Sequence, residues 1–219
     1  MLKVRYSRVR LPVSLDTLAT LAKDWIPVDD RRLRITRASA GELVINLTAV
    51  RMVRITEMVD DEPVTKPVPT MERHTFRLFA GKSDIYLSLL NPTRTSGVVE
   101  EVLDALLAGR HYAVEPLEIG QDLIARHTRK FAAARLVSAK IRDFKVYENA
   151  IGRLEVTSKA GLPNEIAPFL EGKFHRVDAL TYEVTHDFTT GLIWYSSGGT
   201  VRVSGPLVAK AFPLFEEEL

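Results

Sequence analysis

The chain has 219 residues, of which 46% are hydrophobic and 26% are charged, and it contains no cysteine. These proportions are typical of a globular protein and too apolar for a disordered one. Without cysteine the chain forms no disulfide, no thiolate zinc site, no iron–sulfur cluster and no cysteine nucleophile.

The formal net charge is only +2, but the charges are distributed unevenly along the sequence. Residues 1–12 contain four basic residues and no acid, and residues 121–150 contain seven basic and three acidic residues, so each segment has a net charge of +4. The rest of the chain therefore carries a net charge of −6. Two basic segments in an otherwise acidic protein favour an acidic partner.

The sequence shows no targeting or membrane-spanning pattern. Lys3 and Arg5 interrupt what would have to be the apolar region of a signal peptide. No stretch reaches the ~18 apolar residues that a spanning helix requires. We therefore expect a cytoplasmic protein with no membrane partner.

The first predicted element is a strand over residues 2–11. Apolar residues at its even positions alternate with Lys3 and Arg5, which predicts one apolar and one basic face. The apolar positions then change parity at Val9, and this change predicts a bulge near Ser7.

The next elements are a helix, two strands and a loop. Ser14 can cap a helix whose apolar residues recur at three- and four-residue steps as far as Trp25. Residues 33–37 and 42–59 alternate as strands. At about 3.3 Å per residue the second strand is unusually long, so we expect it to bend or break. Residues 60–70 contain three prolines and no apolar pattern, which predicts a solvent-exposed loop.

A unit of two strands, a short turn and a helix then recurs along the chain. It is predicted at residues 75–108, at residues 137–170 and from residue 191 onward, with a helix over residues 121–134 between the first two. The pattern predicts an α+β fold in which antiparallel sheets are built from hairpins with packing helices.

The low identity between these units leaves open whether they are related sub-domains. The predicted organisation is an N-terminal α+β sub-domain at 1–115, a connecting helical segment at 116–135 and a C-terminal ββα-type sub-domain at 136–219.

Basic residues on the first two predicted strands form the first candidate site. If the strands are neighbours, their cations form one basic surface that could contact phosphates without reading sequence. Alternatively, these cations keep an exposed sheet soluble and deter edge pairing. The candidate residues are Lys3, Arg5, Arg8, Arg10, Arg32 and Arg34.

The second candidate site is the basic part of the predicted 121–134 helix and the residues that follow it. Arg126, Arg129, Lys130 and Arg135 could lay positive charge along a nucleic acid backbone. Aromatic residues are sparse nearby, which disfavours base-specific single-strand binding, and a solvated helix face is the alternative. A joint role requires the first strand and this segment to lie side by side.

Catalytic, metal and cofactor sites receive little support from the sequence. His186 and Asp187 precede Ser196 and Ser197 by about ten residues, but no nucleophile-elbow motif surrounds either serine. No two histidines have the helical spacing of a metal site, and the glycines at 198–199 fit a tight turn rather than a phosphate loop. We expect neither metal nor cofactor.

The last ten residues suggest a protein partner. Phe212, Leu214 and Phe215 flank Pro213 just before three glutamates, as in a peptide that docks into a groove, although a final helix covering the core is the alternative. The sequence therefore favours a non-catalytic binding or assembly protein that contacts nucleic acid. The alternatives are a hydrolase with a site near His186 and a subunit of a protein-only complex.

Overall fold

The computed structural model describes residues 1–25, 32–39, 41–92, 97–147, 150–162 and 174–219. These residues form one antiparallel sheet with helices on both faces, which confirms the predicted α+β class. None of the described helices is long and apolar enough to cross a membrane. The helices are α1 (Leu15–Lys23), α2 (Gly97–Leu107), α3 (Gln121–Thr128) and α4 (Val208–Glu216), and a short 3-10 turn at Gly205–Leu207 leads into α4.

Eleven strands are assigned in the described part of the chain. They are β1 (Leu2–Arg10), β2 (Arg32–Ser39), β3 (Glu42–Val59), β4 (Glu62–Ala80), β5 (Ile85–Leu90), β6 (Ala113–Pro116), β7 (Ala133–Tyr147), β8 (Ala150–Thr157), β9 (Arg176–His186), β10 (Thr189–Ser196) and β11 (Thr200–Val203).

The strand order places β1 in the middle of the sheet. The order is β2-β3-β4-β5-β1-β11-β10-β9-β7-β8, and β6 pairs with β1 beyond the end of β11. The first and last strands of the chain are therefore neighbours, with Lys3 opposite Arg202. Strands from both predicted sub-domains share this sheet, and the proposed boundaries stay a prediction.

Strand β1 contributes buried residues to the cores on both faces of the sheet, and this explains the change of parity in its sequence. Val4 and Tyr6 face one hydrophobic cluster, whereas Val9 belongs to a second cluster on the other side of the sheet. The pairing of β1 with β5 runs from Val4 to Val9 without a register shift. The predicted bulge near Ser7 is therefore wrong, because the sequence pattern changes where the core changes face.

The helices of the two halves pack on opposite faces. Helices α1 and α2 cover β3, β4 and β5 through residues such as Leu18 and Leu103, both fully buried. Helices α3 and α4 cover the Val4 and Tyr6 side, where Phe215 is fully buried. Each half therefore has one face that its described helices do not cover.

Strands β3 and β4 extend beyond the sheet as a two-stranded ribbon. Their register is continuous from Glu42 opposite Phe79 to Val59 opposite Glu62, so the predicted break in the long strand is wrong. The predicted loop at 60–70 is also wrong, because β4 begins at Glu62. Prolines are tolerated in a strand whose outer edge is unpaired, since the missing N–H would have pointed to solvent.

Two further local predictions need correction. Helix α3 ends at Thr128 and β7 begins at Ala133, so Arg135 lies on a strand and not on the predicted helix. The helix predicted at residues 163–170, the last part of the second repeated unit, lies outside the described residues.

The C-terminal segment packs against the protein itself. Phe212 and Phe215 are 8% and 0% exposed and belong to the hydrophobic cluster, and Leu214 packs at its margin. The ring of Phe215 lies 5.1 Å from that of Tyr6 and 5.3 Å from that of His127. The predicted docking peptide is therefore corrected to a helix that covers the core.

Candidate nucleic-acid interface

A row of cationic, aromatic and hydroxyl side chains crosses the face of the C-terminal half that no described helix covers. Side chains directly opposite one another in antiparallel strands lie on the same face. The register pairs Lys3 with Arg202, Arg202 with Trp194, Trp194 with Thr181, and Thr181 with Ser138. At about 4.8 Å per strand this row is roughly 19 Å long. We call this surface of β1, β11, β10, β9 and β7 the open face.

The neighbouring rows of the open face add Arg5, beside the buried Thr200, and two ion pairs. Arg5 lies opposite Thr200 on the row next to Lys3. Further along the sheet, Arg135 donates to Glu183 at 2.7 Å, and Lys140 lies 2.9 Å from Glu155. Arg135 and Lys140 are thus neutralised locally, and the excess positive charge lies at the β1 and β11 side.

Three cations of the open face lie at its β1 and β11 side, and no described acidic side chain pairs with them. In the described part of the chain, no carboxylate lies within 4 Å of Lys3, Arg5 or Arg202. Burial, followed by repulsion from Arg202 and Arg5, lowers the pKa of Lys3. An anion placed here would relieve that repulsion.

Trp194 and Arg202 form a stacked pair at the centre of the row. The guanidinium carbon of Arg202 lies 4.4 Å from the centroid of the Trp194 ring. The Nε atom of Arg202 is buried and finds no hydrogen-bond partner among the described residues. The stacking holds the planar guanidinium of Arg202 in place on the surface. Nucleobases can stack on both indole rings and guanidinium planes.

Arg126 of α3 and Lys130, two residues after its end, lie on the other face of the sheet and are neutralised. Arg126 lies 3.1 Å from Glu218, and Lys130 lies 2.7 Å from Glu217 and 2.8 Å from Glu218. These bridges join α3 to the end of α4. Because α3 packs on the Tyr6 side of the sheet, Arg126 and Lys130 share no surface with Lys3 and Arg5, and of the second candidate site only Arg135 lies on the open face.

The remaining predicted cations are also dispersed. Strands β3, β4 and β5 separate β2 from β1, and Arg34 lies opposite Asn46 on the face away from the α1 and α2 core. By alternation, Arg8 and Arg10 point to the face opposite Lys3, and Arg8 lies 3.2 Å from Asp84. The basic surface predicted from neighbouring first strands is wrong. Arg32, Arg34 and Arg129 are exposed elsewhere.

His186 does not meet the serines that the sequence placed near it. His186 lies 3.3 Å from Asp187 at the hairpin between β9 and β10, opposite Thr189. Ser196 is at the far end of the same strand pair, opposite Ala179, about 23 Å away at 3.3 Å per residue. These residues therefore form no base and nucleophile pair.

Two cavities in the described part of the chain lie away from the three cations of the open face. A cavity of about 290 Å³ lies beside the start of α3 and a second of about 410 Å³ lies between the base of the ribbon and α2, and neither is lined by Lys3, Arg5 or Arg202. Across the described ranges, no three histidine or carboxylate side chains are grouped to hold a metal ion.

Trp194 and Arg202 are the residues of the open face that sequence analysis missed. Their strands alternate, with Ile193, Tyr195, Val201 and Val203 buried and the residues between them partly exposed. That alternation places Trp194 and Arg202 on the outer face. Arg202 was missed because it lies outside the two basic segments, where a single arginine does not stand out in the charge distribution. Comparisons with protein families and with curated proteins found no match to this chain.

Proposed function

We propose that this protein binds single-stranded nucleic acid non-specifically across the open face. Phosphates contact Lys3, Arg5 and Arg202, and a base stacks on the Trp194–Arg202 pair. The observation that carries this proposal is the row of Lys3, Arg202 and Trp194, beside which the described chain places no carboxylate within 4 Å. Stacking and backbone contacts of this kind accept any sequence.

The width of the row supports a strand that lies across the sheet. Roughly 19 Å accommodates two or three unstacked nucleotides, as on other sheet surfaces that bind single strands. Only one aromatic residue of the row offers a ring, so one base is stacked and the others are held through their phosphates. Thr181 and Ser138 add hydroxyl donors further along the row.

Two double variants with the same change in charge test the proposal. Lys3→Ala/Arg202→Ala removes two cations from the open face, and Arg126→Ala/Lys130→Ala removes two from α3. Titration of a labelled oligonucleotide by fluorescence anisotropy should show a roughly tenfold or greater loss for the first variant. The slope of log affinity against log salt should fall by about 1.4, as expected when two single-strand phosphate contacts are lost. The α3 variant should change affinity less than about twofold, because its cations are already paired.

The stacking contact is tested separately through tryptophan fluorescence. The chain has only two tryptophans, so Trp25→Phe leaves Trp194 as the single reporter. Oligonucleotide should quench this emission. Trp194→Ala should weaken binding roughly 5- to 100-fold with an unchanged salt slope, since base stacking contributes about 1–3 kcal/mol. Absence of binding at low salt, or equal losses in both double variants, would contradict the proposal.

A further inference from the structure

The part of the β3–β4 ribbon that extends beyond the sheet is a second unexplained surface. We call residues 50–71 of these strands the arm. Strand β2 pairs with β3 no further than Thr48, and β5 pairs with β4 only from Phe76 onward. Ten ladder pairs, from Val50 opposite Met71 to Val59 opposite Glu62, therefore project about 33 Å without a described neighbouring strand.

The arm exposes an unusual amount of apolar surface. Of the thirteen large apolar residues exposed in the described part of the chain, eight lie on the arm. An isolated hairpin is at best marginally stable in water, and a contiguous apolar surface commonly marks an interface. The eight residues are Val50, Met52, Val53, Ile55, Met58, Val59, Val64 and Met71.

The two edges of the arm differ in their capacity to accept another strand. Ala80 donates its backbone N–H to Gly41 at 2.8 Å, and the register is continuous from there to the tip. Even-numbered residues of β4 therefore bond to β3, and odd-numbered residues point outward. Pro63, Pro67 and Pro69 all occupy outward positions, so they block the β4 edge.

The β3 edge of the arm contains no proline. The same register directs the backbone N–H and C=O groups of its even-numbered residues, such as Arg54 and Thr56, away from β4. This edge can accept a strand.

The charges along β3 favour a second copy of the same strand. Arg51 and Arg54 lie toward the base of the arm, whereas acids concentrate toward and beyond the end of β3, at Glu57, Asp60, Asp61 and Glu62. Arg51 and Glu57 already pair with Glu72 (3.5 Å) and Lys66 (2.5 Å), so the charges offered to a second copy are those of Arg54 and of the three acids at the tip. In an antiparallel pair of identical strands, the base of each lies beside the tip of the other, so cations meet acids. A nucleic acid or an anionic membrane would instead meet the tip carboxylates.

We propose that the arm is a dimerisation element in which the β3 edges of two copies pair antiparallel. The result is a four-stranded ribbon with the prolines of β4 on both outer edges, so that pairing stops at two copies. Val53, Ile55 and Val59 of each copy then form one aliphatic stripe across the interface. This inference does not depend on nucleic acid binding by the open face.

Thr56 and Thr65 offer a matched pair of variants. They lie opposite each other with their hydroxyl oxygens 2.9 Å apart, and both backbone N–H groups point outward, on opposite edges. Thr56→Pro and Thr65→Pro lose the same hydroxyl contact and one outward N–H each. Neither removes a hydrogen bond between β3 and β4, and only Thr56→Pro blocks the proposed interface.

Sedimentation equilibrium of the full chain without nucleic acid decides the matter. The unsubstituted protein and Thr65→Pro should form dimers in the micromolar range, and Thr56→Pro should raise the dimer dissociation constant roughly tenfold or more. Circular dichroism should show that both variants retain the fold. A monomeric unsubstituted protein, or equal dissociation of the two variants, would overturn the proposal.

A change of charge at Arg54 provides a second, independent test of the dimer. Arg54→Glu places an acid beside the acidic tip of the second copy and should weaken the dimer, whereas Arg54→Lys should keep it. Equal behaviour of the two substitutions would count against the antiparallel arrangement. Trp194→Ala, which changes only the open face, should leave the dimer unchanged, so failure of one proposal is distinguishable from failure of the other.

Discussion

The two groups of cations on opposite faces of the sheet differ in how they are neutralised. Arg126 of α3 and Lys130, two residues after its end, lie within 3.1 Å of carboxylates that follow α4. On the open face, Lys3 and Arg202 lie beside each other, and Lys3 has a lowered pKa. Counted along the sequence, the two basic segments have the same net charge of +4. The difference shows that a basic segment indicates a binding surface only when its counter-charges are known.

The largest expected effect comes from removing the side chain that anchors α4 against α3. Phe215 is fully buried and packs against the rings of Tyr6, His127 and Tyr195. Phe215→Ala should lower the free energy of unfolding by about 3–5 kcal/mol, since it opens a cavity in the core. Urea denaturation measures this change. Phe188→Ala, at a fully exposed turn residue, is the matched control and should change stability by less than about 0.5 kcal/mol.

Mild acid should destabilise the α3 side through His127. This fully buried residue donates from Nε2 to the Ala211 carbonyl (3.0 Å), and its Nδ1 lies 2.6 Å from the Tyr195 hydroxyl, which donates to it when the ring is neutral. Burial, aided by the charge of Lys130, lowers the pKa of His127 from 6.5 to about 4.

The sign of the pH effect follows from that lowered pKa. Below pH 6.5 the unfolded chain binds a proton at His127 that the folded protein does not bind until about pH 4. The stability contribution is therefore complete above pH 6.5 and decreases as the pH falls, by about 3 kcal/mol in total. Urea denaturation should be measured from pH 4 to pH 6.5 for the unsubstituted protein and for His127→Gln. The difference between their free energies of unfolding should decrease as the pH falls across this range. A pH-independent difference would show that His127 takes up its proton equally in both states.

The smallest effect should come from releasing the paired cations themselves. Glu217→Gln/Glu218→Gln removes the carboxylates beside Arg126 and Lys130, and the free energy of unfolding should change by less than about 1 kcal/mol. Oligonucleotide affinity at low salt should rise roughly two- to threefold, because α3 then offers unpaired charge.

A control variant separates local release from net charge. Asp60→Asn/Asp61→Asn changes the net charge by the same amount at the tip of the arm, and both positions have the positive φ angles that asparagine tolerates. Equal gains in affinity from the two double variants would mean that only net charge matters.

The sequence predicted best those elements that depend on neighbouring residues. Helix α1 begins where expected because the Ser14 side chain accepts a hydrogen bond from the Thr17 N–H at 3.2 Å, and its buried residues Leu15, Leu18, Ala19 and Ala22 all belong to one core. The arm was predicted wrongly because proline is usually evidence against a strand. It is compatible with a strand whose outer edge is unpaired, and sequence alone does not show which edge that is.

The open face could be predicted only in part. The alternation of β1 predicted that Lys3 and Arg5 share an outward face, and the structure places them so. Their neighbours could not be predicted, because Arg202 comes from the last strand and Trp194 from the strand before it. Strand order depends on pairing between distant segments, and the helices of the two halves lie on opposite faces. A local sequence pattern predicts neither the strand order nor the face that a helix covers.

The pairing of β1 with β11 also has a consequence for the order of folding. Strand β1 cannot bury Val4 and Tyr6 until residues 200–203 are available to pair with it. Contacts between such distant segments form slowly, since the chain must close a very large loop first. We expect the Lys3 and Arg202 surface to be assembled at a late stage, after the α1 and α2 core, whose contacts are more local. Strand β1 is therefore expected to lack its β11 neighbour until late in folding.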